Sequence, residues 1–88
     1  MNLYVFPALF YGGYGRHVSC VVVAENLEQA KTDLLVRMSM LAAIEGQSVV
    51  ETDEATREWL ELSDEGRGPE IKVYPLEGPM AVIVETYE

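Results

Sequence analysis

The chain has 88 residues and a formal charge of −9, with fifteen aspartates and glutamates against six lysines and arginines. That length suits one domain over residues 1–88 rather than two, and so few cations exclude direct nucleic-acid binding, which depends on Lys and Arg neutralising phosphates. No run reaches the ~18 apolar residues that span a bilayer, so no membrane role is expected.

Leu3 to Leu9 and Val18 to Ala24 are rich in β-formers and flank Gly12-Gly13-Tyr14-Gly15, a pattern that predicts a β-hairpin. Pro7 cannot donate a ladder hydrogen bond, which puts the first strand at a sheet edge or a bulge within it, and makes the second strand the interior one. Asn26 is a candidate N-cap, with Gln29 completing an approximate capping box. Leu27, Ala30, Leu34, Met38 and Leu41 then follow at helical period, Leu35 and Ala42 widen the stripe, and Gly46 supplies the stop. A helix from about Leu27 to Glu45 should lie against the sheet.

Gln47 to Val50 reads as extended, and Thr52 as the cap of a second helix through about Leu62, with Asp53 and Glu54 near its N-terminal dipole. Ser63 to Pro69 has loop composition. Glu70 to Leu76 and Met80 to Thr86 are the last two predicted strands, joined by a turn at Glu77-Gly78-Pro79. The order β-β-α-α-β-β implies an α+β fold, a four-stranded antiparallel sheet of two hairpins with two helices inserted between them.

The second helix carries the main functional signal. Glu51, Glu54, Glu58, Glu61 and Glu65 recur at spacings of three and four residues, which stacks them on one helical face. Ala55, Trp59 and Leu62 share the period and should form a separate apolar stripe. Residues 45 to 70 hold nine acids, Asp53 and Asp64 among them, against Arg57 and Arg67, a local balance of −7. Carboxylates on this face recur about every 4 to 5 Å of helix axis, comparable with the ~3.4 Å between phosphates on a DNA strand. Such a face suits a positively charged partner. A solubilising surface is the plainer alternative, although solubility favours mixed signs and Arg57 lies off the stripe.

Other chemistry is thinly represented. His17 and Cys20, three apart in a strand, should point to opposite faces and cannot easily pair for nucleophilic catalysis. The acids Asp53, Glu54, Glu58, Asp64 and Glu65 match no calcium loop, and no second His or Cys accompanies His17 or Cys20 for zinc, so no metal or cofactor is expected. The glycine loop runs into a strand rather than a helix, unlike a phosphate cradle. Tyr11 and Tyr14, beside Phe10, are candidate interface anchors or a small cluster folded over the sheet end. The lone Cys20, within Val18 and Val21-Val22-Val23, suits a buried thiol in a reducing compartment, and no charged segment followed by an apolar run opens the sequence.

Leu3-Tyr4-Val5, the segment from Val21 through Glu25, Asn26 and Leu27 to Ala30, and Met80-Ala81-Val82-Ile83-Val84 together resemble small acidic bacteriophage accessory proteins, anti-CRISPR inhibitors among them. The resemblance implies a non-enzymatic inhibitor acting in the bacterial host cytoplasm on a basic nucleic-acid-binding protein or complex. The partner-binding residues expected from the sequence itself are Glu51, Asp53, Glu54, Glu58, Glu61, Asp64 and Glu65, with Tyr11 and Tyr14. The alternative is a structural or interaction module that homodimerises through a sheet edge or the hairpin aromatics, its acids serving solubility.

Overall fold

The computed structural model describes residues 1–11 and 16–76. Within them the chain forms β1 (Asn2–Tyr11), β2 (Arg16–Ala24), α1 (Leu27–Ile44), α2 (Val49–Asp64) and β3 (Lys72–Pro75). The strands make an antiparallel sheet in the order β2-β1-β3, and both helices pack on it, giving an α+β arrangement. The expected strand from Met80 to Thr86, its turn at Glu77-Gly78-Pro79 and the hairpin loop at residues 12–15 lie outside the described residues.

β1 has a neighbour on each side, so of the two positions that Pro7 allowed, a sheet edge or a bulge, the structure has the bulge. Asn2 to Phe6 pair with Ala24 to Cys20, and Asn2 to Val5 pair with Pro75 to Lys72 on the other side. The proline is accommodated by a bulge: the register passes from Phe6↔Cys20 to Leu9↔Val18, so Pro7 and Ala8 stand opposite Ser19 alone. Ala8 takes a left-handed φ of 55° there. A missing N–H is harmless where the ladder is already broken, and a central strand can therefore hold Pro7. β2, expected to be interior, has β1 as its one neighbour among the described residues.

The Asn26 side chain accepts from the Gln29 N–H at 2.9 Å, and the Gln29 Oε1 accepts from the Glu25 N–H at 2.9 Å, so the start of α1 follows the expected cap with its return bond one residue earlier. Both helices end in the same Schellman geometry. Gln47 N–H reaches Ala42 O at 2.8 Å behind Gly46 at φ +71°, and Arg67 N–H reaches Leu62 O at 2.8 Å behind Gly66 at φ +72°.

The start of α2 corrects the sequence reading. Ser48 is the cap, accepting from the Glu51 N–H at 3.2 Å, so Val49 and Val50 are helical rather than extended. Thr52 lies inside the helix and is buried. The acid in the first turn is accordingly Glu51, and the helix runs two residues past Leu62, to Asp64.

Tyr4, Phe6 and Leu9 of β1, Val22 and Ala24 of β2, Ala30, Leu34 and Met38 of α1 and Trp59 and Leu60 of α2 form the buried cluster. Burial of each large aliphatic or Phe side chain contributes about 1.5–3 kcal/mol. Phe6 meets Trp59 edge to face, with ring centroids 6.0 Å apart. This contact anchors α2 to the centre of the sheet and sets which way its remaining faces point.

Candidate acidic docking face and adjoining cleft

With Trp59 fixed against Phe6, the helical repeat decides the rest of α2. Its buried face is Thr52, Thr56, Trp59 and Leu60, while Ala55 and Leu62, expected beside Trp59 in the apolar stripe, are only half buried. Thr56 can line the core because its hydroxyl donates to the Thr52 carbonyl at 2.8 Å, leaving its methyl group to pack.

The opposite side carries the acids. Glu51, Glu54, Glu58, Glu61 and Glu65 are all exposed. Four of these, Glu51, Glu54, Glu58 and Glu61, form no ion pair among the described residues. The other expected acids are compensated within the chain. Half-buried Asp53 accepts from Arg57 at 2.8 Å, Asp64 accepts from Lys31 of α1 at 2.8 Å, and Glu65 pairs with Arg67. The seven carboxylates thus divide by role: three hold the helix and its ends in place, and four present unbalanced charge.

That charge works against the helix. Glu54 and Glu58 stand four residues apart, as do Glu61 and Glu65, and each like pair at this spacing costs about 0.2–0.5 kcal/mol. Glu61 and Asp64 also sit at the negative end of the helix dipole, and the last turn contains no basic residue. Lys31 and Arg67 reach in from outside the helix to relieve it.

Beside the acids lies a cleft of about 360 Å³ between α2 and the far end of the hairpin. Phe10 and His17, partners across the strands, form one wall with ring centroids 4.0 Å apart. Ala55, Trp59 and Leu62 form the other, and Glu58 of the acidic face lines the cleft as well. The Trp59 indole N–H is buried and meets no acceptor among the described residues. Sequence reasoning placed Trp59 and His17 but did not bring them together, because the cleft depends on the pairing of Phe10 with His17 and on where the bulge sends the end of β1. Cys20 packs against the core rather than in the cleft, and burial pushes its thiol above the ordinary value, with a smaller opposing pull from Arg37.

Of the expected aromatic anchors, Tyr11 is the last residue of β1, in register with Arg16, and Tyr14 lies outside the described residues. Among the described residues no three His, Cys, Asp or Glu side chains gather as a metal site, and no helix is long and apolar enough to cross a membrane. Comparisons with protein-family models, with curated proteins and with solved structures found no match.

Proposed function

We propose that this chain is a non-enzymatic binding protein whose α2 docks on a basic, nucleic-acid-binding surface of a partner, and that it acts as an inhibitor of the anti-CRISPR type by occupying that surface. The observation that carries this reading is the row of four exposed carboxylates, Glu51, Glu54, Glu58 and Glu61, without an ion pair among the described residues, on a helix whose other acids are internally compensated. A solubilising surface is equally served by signs interspersed over the whole surface and does not require a single-sign row along one helix. A row that meets the Lys and Arg of a partner gains electrostatic steering and partner selectivity.

Catalysis is the weaker reading. The cleft combines one imidazole and one carboxylate with an apolar wall, and Cys20, the nucleophile that the sequence offers, is packed elsewhere.

The test is phage plating on bacteria with active CRISPR immunity of several types, with the chain expressed in the host. Wild-type protein should restore plaques on at least one immune host, and the variant with Glu54→Lys, Glu58→Lys and Glu61→Lys should not, while its circular dichroism and melting remain those of a folded protein. Equal restoration by the variant, or none by the wild type on any immune host, would remove the proposed activity.

A further inference from the structure

Resting on the binding role proposed above, we infer that the cleft beside α2 receives an apolar side chain of the same basic partner, aromatic by preference, and that Glu58 pairs with an Arg or Lys next to it in the partner's sequence. The partner would then be recognised by a mixed feature, a ring set among cations, rather than by charge alone.

Three observations converge on this occupant. At about 360 Å³ the cleft lies near the lower end of the ~300–1,000 Å³ typical of ligand pockets, room for one large side chain. Its hairpin wall keeps Phe10 at 45% exposure, an uncovered aromatic stacked on His17 and available to a second ring. The opposite wall is built on Trp59, a ring held at 7% exposure by its packing against the core, so the cleft has an aromatic side chain on each side.

Charge identifies the source of that occupant. Glu58 belongs both to the cleft and to the exposed acidic row, with Glu54 one turn before it and Glu61 about one turn after. An apolar group that reaches the cleft must therefore approach along carboxylates, which favours a ring flanked by cations and repels one flanked by acids. Aromatic side chains seated in pockets and bordered by paired charges are the usual centres of binding energy in protein interfaces, Trp, Tyr and Arg foremost.

The experiment uses the full chain, isotope-labelled for NMR, titrated with three capped peptides: Arg-Arg-Trp-Arg-Arg, Arg-Arg-Ala-Arg-Arg and Ser-Ser-Trp-Ser-Ser. The first should bind about tenfold or more tightly than either of the others, consistent with one anchor residue in a pocket. It should also move the Trp59 indole N–H resonance. Phe10→Ala, which removes the exposed wall, and Ala55→Phe, which fills the cleft from α2, should each bring the two arginine peptides to similar affinity, with melting curves verifying that both variants fold. Equal affinity of the two arginine peptides for the wild type would overturn the inference and leave the acidic docking face standing. Failure of both to bind would overturn the docking face as well. Equal binding of the serine-flanked peptide would overturn the coupling to charge, and a Trp59 resonance that shifts with protein concentration alone would assign the cleft to a second copy of this chain.

Discussion

At the scale of single residues, the backbone of Ala8 holds the most telling constraint. Its φ of 55° lies in the left-handed region, where a non-glycine L-residue is disfavoured by about 1–2 kcal/mol, and it persists because the ladder on both sides of the bulge fixes it. A β-branched side chain suffers more there than alanine. Ala8→Val should accordingly lower the urea midpoint by an amount equivalent to at least ~1 kcal/mol, whereas Ala8→Gly should leave it unchanged or raise it. Cys20 supplies a pH-dependent test. Burial raises its folded-state value above that of the unfolded chain, so the contribution to stability is complete below the unfolded thiol value of ~8.5 and is lost as pH rises beyond it. The urea midpoint of the wild type should therefore decline through that alkaline range more steeply than that of Cys20→Ala, and thiol labelling at neutral pH should be much slower in the folded protein than in denaturant.

At the scale of elements, α2 combines a well-specified start and end with a destabilising face. Ser48→Ala removes the side-chain acceptor for the Glu51 N–H and should cost about 1 kcal/mol in urea unfolding. Glu61→Lys has the opposite sign. It replaces an exposed anion in the last turn by a cation that complements the dipole, and so should stabilise the fold by about 0.3–1 kcal/mol while weakening partner binding. A substitution that improves the fold and impairs binding is the expected signature of charge retained for a partner. These elements also mark how far the sequence could be read. Asn26, Gln29 and Gly46 act within a few residues of themselves, and α1 was legible from them. Val49 and Val50 have strand propensity, yet Ser48 caps the helix that contains them and both remain exposed, so a local cap outweighed β-branched character. Thr52 was misplaced as the cap, and Thr56 was not singled out, although its hydroxyl donates within the helix and it can therefore face the core.

At the scale of the molecule, the hairpin and the antiparallel sheet were legible from strand patterning, but the strand order was not. Pro7 allowed either an edge or a bulge because both dispense with its missing donor, and only the pairing of β1 with β2 and β3 decides for the bulge. The acidic row was legible because it depends on helical periodicity alone, whereas its partition into compensated and unpaired carboxylates needed Lys31, thirty-three residues from Asp64 in sequence. The cleft was not legible at all: its walls come from β1 and β2 at one end of the hairpin and from α2, elements brought together by tertiary packing such as the Phe6–Trp59 contact. On the folded chain α2 therefore turns its glutamates outward and, among the described residues, leaves four of them without an ion pair, a surface that should attract cations.

The most direct measurement is calorimetric titration of the full chain with a deca-arginine peptide, at about 50 mM and about 300 mM salt, conditions on either side of a Debye length of ~8–10 Å. The account predicts that wild-type affinity falls at least about tenfold between the two, and that the variant with lysine at positions 54, 58 and 61 does not bind at either. Affinity that ignores salt, or a variant that binds as the wild type does, would contradict it.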